Sequence, residues 1–378
     1  MLLLFFVIIS FLNLFFSQEN NSFTTIDGEI CLYFPNGIIM EKGLVKNSKK
    51  NGDFFQYHEN GQLKLKCFYL DGILNNEWIL YFPNGNVKSK CIYNMGKING
   101  QFVNYYDNGN ILDVSNYSGN NIEGDFISYY SDGVLMKQGI YKNGLRNGLW
   151  NFYFPNGQLE QSVNYINGLK NGLVESYYET GIKKSIENFK NDTLVNSYIS
   201  YYPNGKIQIE TNFFNGLLNG QYYSYNSNGF YNIKANYRNG FYEGKYEDFS
   251  DSNKVLSSCF YTNGLKDKEA KLYYPSGNIL MTGIFKNGKK EGEWIEYFET
   301  GIVSKKYNYK DDMLNEYYID FYNDGRIEEK GNYKNNLKDG IWKVYFYYKE
   351  DIFESSGTFK NGKKLDDWQT IKIHSIED

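Results

Sequence analysis

Histidine is almost missing from this chain: His58 and His374 are the two in 378 residues. Neither has partners at a spacing suited to a metal cluster or a Ser-His-Asp arrangement, and that chemistry needs partnered groups. No catalytic residue and no metal site is therefore expected. Cysteine is scarce too, at four, with no Cys-x-x-Cys pair that could hold zinc. Charge of one sign never accumulates. The 40 basic and 44 acidic residues are interspersed, for a net charge of −4. That excludes the electrostatic footprint of a nucleic-acid binder. The acidic balance also opposes attraction to anionic lipid, which leaves aromatic insertion as the route to a membrane surface. Carboxylates are plentiful, but none recurs as a facing pair. Glu41, Glu123, Glu175, Glu243 and Glu328 read as solvated charges. Gly144-Leu145-Arg146-Asn147-Gly148 reads as a turn, because no helix follows to lend a dipole to a phosphate. Without an acid–base constellation the chain is expected not to be an enzyme. No cofactor and no small-molecule substrate is implied.

What is present is aromatic and glycine-rich. Phe, Tyr and Trp make up 19% of the residues and there are 37 glycines. Aromatics favour strands and glycine punctuates them, so many short strands separated by turns are expected. The first seventeen residues, MLLLFFVIISFLNLFFS, are apolar almost throughout, and a polar Gln18-Glu19-Asn20 follows. The run has the length of a secretory signal and is short for a membrane span. A cleaved signal over residues 1–17 is expected, and with it a location in the cell envelope or outside the cell.

An internal repeat organises the rest. In steps of 24 residues the positions read Gly37, Gly61, Gly85, Gly109, Gly133, Gly157, Gly181, Gly205, Gly229, Asn253, Gly277, Gly301, Gly325 and Lys349, twelve glycines in fourteen. Four residues before each stands an aromatic, from Tyr33 and Tyr57 to Phe321 and Tyr345. Two residues after is usually an aliphatic, such as Ile39, Leu63 or Val87, and eight after is Tyr or Phe, such as Tyr69, Tyr93 or Phe189. All five prolines, Pro35, Pro83, Pro155, Pro203 and Pro275, fall two residues before the reference position. Proline suits the second position of a type I turn and glycine the left-handed residue that closes it. Pro-Asn-Gly is therefore a three-residue hairpin loop with a glycine bulge. In that register the aromatic at minus four faces the aliphatic at plus two. Counting parity, the aromatic at plus eight should join them on the same face.

A second turn, with two glycines four apart as in Asn143-Gly144 and Asn147-Gly148, leads into the next hairpin. One hairpin alone is marginal in water, and hairpins stacked side by side share a core. Equivalent residues of neighbouring hairpins should lie roughly 9–10 Å apart, two strand spacings. Cys67 and Cys91 are one repeat apart, beyond the roughly 4.4–6.8 Å of a disulfide. With Cys31 and Cys259 they read as small packing residues, and no disulfide is expected. The departures at Asn253 and Lys349 suggest a kink and a cap.

These columns resemble the MORN repeat family in its bacterial variant. Trp150-Asn151-Phe152-Tyr153-Phe154-Pro155-Asn156-Gly157 and Trp294-Ile295-Glu296-Tyr297-Phe298-Glu299-Thr300-Gly301 carry the likeness. The resemblance implies an all-β fold: an elongated single-layer antiparallel β-hairpin repeat array, a MORN-type solenoid of about 14 units of 24 residues. Residues 18–26 form a short N-terminal segment, 27–366 the repeats and 367–378 a C-terminal tail or cap. It further implies a scaffold for proteins or membrane surfaces. Some bacterial members are antitoxin components of toxin–antitoxin pairs, which gives an alternative role of binding a toxin. The preferred expectation is a non-catalytic scaffold that binds a protein partner, or a membrane surface, through its aromatic sheet face. Phe82, Tyr106, Tyr130, Phe154, Tyr178, Tyr202 and Tyr274, opposite the all-aromatic column, are the candidate contacts.

Overall fold

The computed structural model describes residues 27–375. The apolar segment 1–17 lies outside them. Among the described residues there are strands, turns and bends but no helix. The chain forms two compact units, divided between Leu145 and Arg146. Each is a single antiparallel layer of consecutive hairpins, not closed into a barrel.

The first turn of each repeat follows from its sequence. Gly37 N donates to Phe34 O at 2.9 Å and Phe34 N to Ile38 O at 2.8 Å, so Pro35 and Asn36 occupy the two central positions of a type I turn. Gly37 closes it at φ 82°. Asn36 then caps its own turn, its Oδ1 accepting from Ile38 N at 3.0 Å. Tyr33 faces Ile39 as expected, but Leu32 faces Glu41, so Met40 is an extra residue in the second strand. The same slip occurs beside Tyr57, Tyr81, Tyr177 and Tyr297.

That bulge overturns one sequence expectation. An extra residue reverses the in–out alternation beyond it. The plus-eight aromatics therefore leave the face of the minus-four tyrosines. Tyr69 packs edge-to-face on Phe54 at 5.2 Å, Tyr141 on Phe126 at 5.5 Å and Tyr309 on Trp294 at 6.1 Å. The side chains divide accordingly: Lys42 lies over Phe55 and Tyr57, whereas Lys50 lies over Phe54 and Tyr69.

The core runs along this second face. Seven residues before the reference position stand large side chains, among them Phe54, Trp150, Trp294 and Trp342, all buried. Opposite them in the preceding hairpin sit small ones: Gly43 faces Phe54, Cys67 faces Trp78 and Gly331 is covered by Trp342. Fully burying one such ring contributes about 2–3 kcal/mol, and each edge-to-face pair about 0.5–1.5 kcal/mol more.

The second turn is also tighter than the sequence suggests. Asn143 and Gly144 alone make it, at φ 50° and 76°, the geometry of a two-residue type I′ turn. The later glycine, Gly148 here and Gly172 in the next hairpin, lies within a strand, again at positive φ, where the pairing slips. Asn76, Asn196, Lys268 and Glu316 adopt the same left-handed backbone at that column.

The expected kink at Asn253 is absent. Asn253 keeps a left-handed φ of 62°, its N donates to Ser250 O at 2.8 Å, and Phe249 faces Val255 in the usual register. Asparagine tolerates this backbone, so the turn survives the loss of glycine. The C-terminal end does depart. Leu337–Tyr348 pairs with Asp351–Lys360 without a slip, around a two-residue turn at Lys349 and Glu350. The last strand, Gln369–Ser375, covers Asp351–Ser356.

Candidate functional site

Each hairpin is tied to the next along the Pro-Asn-Gly edge. Asn60 Nδ2 donates to Pro83 O at 2.9 Å, Asn156 Nδ2 to Glu179 O at 2.9 Å and Asn204 Nδ2 to Ser227 O at 2.8 Å. The candidate contact column makes a second tie. Tyr106 donates its hydroxyl to Tyr129 O at 2.9 Å, and Tyr178, Tyr202 and Tyr274 reach Tyr201 O, Tyr225 O and Tyr297 O at 2.8 Å each. His58 stands in the same column and its Nε2 lies 3.2 Å from Tyr81 O. Phe82, Tyr106, Tyr130, Phe154, Tyr178, Tyr202 and Tyr274 are all half-buried. Tyr106, Tyr178, Tyr202 and Tyr274 thus fasten neighbouring hairpins, and Phe82 is covered by Lys88 at 5.5 Å.

Four of the five carboxylates taken as solvated are also structural. Glu123 accepts from Asn143 N at 2.6 Å and Glu243 from Asn263 N at 3.0 Å, each fixing an Asn-led turn. Glu41 pairs with Lys50 at 2.7 Å and Glu175 with Lys183 at 2.8 Å. The Lys183 ammonium holds the Glu175 carboxyl below the usual range.

Among the described residues no group of His, Cys, Asp and Glu could hold a metal ion. All four cysteines are free thiols. Cys67, Cys91 and Cys259 are buried against the ring column, and Cys31 is exposed. Burial pushes the Cys67 thiol up to about 11 and Cys91 up to about 12. Neither is poised as a nucleophile.

The sequence reading missed a row of apolar side chains on the opposite edge, at the Asn-Gly turns. Twelve residues before the reference position stand Ile73 in the first unit and Leu169, Leu217, Phe241, Leu265, Met313 and Leu337 in the second, all exposed. Phe214, Leu217, Phe241 and Leu265 form its densest stretch, at 60%, 50%, 62% and 52% exposure. Leu217 faces Phe214 across its turn. Each then leans over the next turn. A Cβ built on Gly240 would lie 3.7 Å from Leu217 Cδ2, and one on Gly264 would lie 3.1 Å from Phe241 Cδ1. Column periodicity carried the signal, but an apolar residue beside a turn reads as a strand start.

The sequence model of a family described as "MORN repeat variant" matches residues 26–47, 50–71, 74–95, 122–143, 146–167, 170–191, 194–215, 266–287 and 290–311. Each matched window holds the two strands that flank a Pro-Asn-Gly turn or its equivalent and ends at the first residue of the following Asn-Gly turn. No curated protein matches the chain. Two solved structures are similar to it, each at 12% identity. "Crystal Structure of TcdB2-TccC3-Cdc42" covers 91% of this chain at a TM-score of 0.16, and "Crystal Structure of TcdB2-TccC3" covers 87% at 0.15. The chain spans about a quarter of the length of those solved chains, 23% and 24%.

Proposed function

The chain belongs to the MORN repeat variant family, and from that premise we propose that it is a non-catalytic scaffold whose second unit docks a protein partner along the apolar row at its Asn-Gly turns. The observation that carries this reading is the stretch Phe214, Leu217, Phe241 and Leu265, four large apolar side chains, each at least half exposed, at three successive Asn-Gly turns. Contiguous exposed apolar surface of that kind is uncommon unless something covers it. The row repeats at roughly 9–10 Å, a spacing suited to a partner with an extended apolar ridge. The aromatic sheet face supports the scaffold more than the contact, because its tyrosine hydroxyls already hold neighbouring hairpins together.

A triple variant, Leu217→Ser, Phe241→Ser and Leu265→Ser, tests the reading. It is expected to keep the circular dichroism spectrum and to lose a partner that co-purifies with the native protein. Retention of that same partner by the folded variant would overturn the docking surface. We also propose that the scaffold acts in the cell envelope or outside the cell, on the strength of the apolar run over residues 1–17. Intact mass from fractionated cells tests this. A chain beginning at Gln18 in envelope or medium is expected, and a full-length chain in the cytosol would refute the location.

A further inference from the structure

One repeat of the second unit breaks the core column. Where other hairpins place Trp294, Tyr318 or Trp342, this one places Ala270. The result is a hollow of about 220 Å³ walled by Cys259, Ala270, Met281, Phe285 and Trp294. Phe285 and Trp294 meet edge-to-face at 5.2 Å on one side of it. Three lysines also line it: Lys271, which pairs with Glu269 at 2.9 Å, and Lys266 and Lys290.

The lysines make the hollow electropositive. The column of Lys266 and Lys290 recurs in other hairpins, and in two of them a carboxylate answers it: Lys50 meets Glu41 at 2.7 Å and Lys338 meets Glu329 at 2.5 Å. Both acids stand four residues after the reference position of the preceding hairpin. The residues equivalent to them are Ser257 for Lys266 and Met281 for Lys290, and both line the hollow. Lys290 instead lies over Trp294 at 4.5 Å, and Lys266 over Phe285 at 5.3 Å. No ion pair joins either ammonium to a carboxylate among the described residues, and burial holds the Lys290 ammonium below the usual lysine range. Trp294 supplies an independent sign. It is 3% exposed and its Nε1 has no hydrogen-bond partner, whereas the matching Trp342 Nε1 donates to Asn332 O at 3.1 Å. A buried donor without an acceptor costs about 1–3 kcal/mol.

We propose that this hollow binds a small aromatic carboxylate: its ring takes the place that an aromatic side chain fills in neighbouring hairpins, and its carboxylate lies between Lys266 and Lys290. The ring packs against Phe285 and Trp294 as Tyr318 packs against Tyr333. The carboxylate restores the charge pairing that Glu41 and Glu329 provide elsewhere. The site shares no residue with the apolar row, so either proposal can fail without the other.

Calorimetric titration of the full chain with 3-phenylpropionate, beside its neutral analogue 3-phenylpropanol, tests the site. Saturable binding of the acid below ~10 mM is expected, with the alcohol at least tenfold weaker. Ala270→Tyr fills the hollow and should abolish binding while leaving the melting temperature unchanged or raised. Lys266→Gln with Lys290→Gln should weaken the acid at least tenfold and leave the alcohol unaffected, which keeps the test decisive if the tyrosine variant misfolds. No heat with the acid, or binding unchanged in folded Ala270→Tyr, would overturn the site. Equal binding of acid and alcohol would overturn its anion specificity.

Discussion

Individual residues here are chosen by backbone geometry and close approach more than by chemistry. Gly283 shows the second constraint: a Cβ there would lie 2.0 Å from Trp294 Cδ2. Gly283→Ala is expected to destabilise the protein by about 1–3 kcal/mol, the cost of overpacking, read as a lower urea midpoint. An unchanged midpoint would mean that the ring gives way freely. Lys268 and Glu316 show the first constraint, holding φ of 66° and 65° where other hairpins have glycine. Glu316→Gly relieves a left-handed strain of about 1–2 kcal/mol but adds about 0.5–1 kcal/mol of chain entropy. A net gain of a few tenths to about 1 kcal/mol is predicted, and a loss would contradict it.

The buried thiols give a pH prediction at the same scale. Burial raises Cys67 and Cys91 to about 11 and about 12, and Tyr93 to about 12. Raised values mean that the folded state holds these protons more tightly than the unfolded chain does. Their stability contribution is therefore complete below the unfolded values and is lost as pH rises through the folded ones. The urea midpoint should fall between about pH 8 and about pH 11, after little change from about pH 6 to 8. At about pH 8 a thiol reagent should titrate Cys31 alone in the native protein and all four cysteines in urea.

At the scale of the hairpin, proline and glycine spacing made the first turn legible and located the second, but not its two-residue length, because the later glycine belongs to a strand. The face of the plus-eight aromatics was not legible. A single extra residue at the Met40 position reverses alternation, and its side chain carries no mark of that role. Nor did the sequence separate Tyr178, Tyr202 and Tyr274 as exposed rings from Tyr178, Tyr202 and Tyr274 as ties, since the acceptor lies 23 residues on. Removing one such hydroxyl, as in Tyr202→Phe, should cost about 0.5–1.5 kcal/mol. Combining it with Tyr274→Phe, three hairpins along, should give the sum of the single effects. An effect near zero would show that water serves those carbonyls equally well.

At the scale of the whole molecule, repetition explains why fold and site differ in legibility. A column that recurs fourteen times declares a folding constraint, and both units obey it. A binding feature in such a chain is a departure from the column or an exposed member of it, and both are faint against the repeat. The apolar row is one such feature and Ala270 another. The reading of the row as a docking edge is tested most directly by placing a photo-reactive phenylalanine at Phe241 and, separately, at Asn204 on the opposite turns, in the cells that make the protein. The account predicts one protein adduct, the same in replicate cells, from position 241 and none from position 204. Adducts absent at position 241, or matched at position 204, would contradict it.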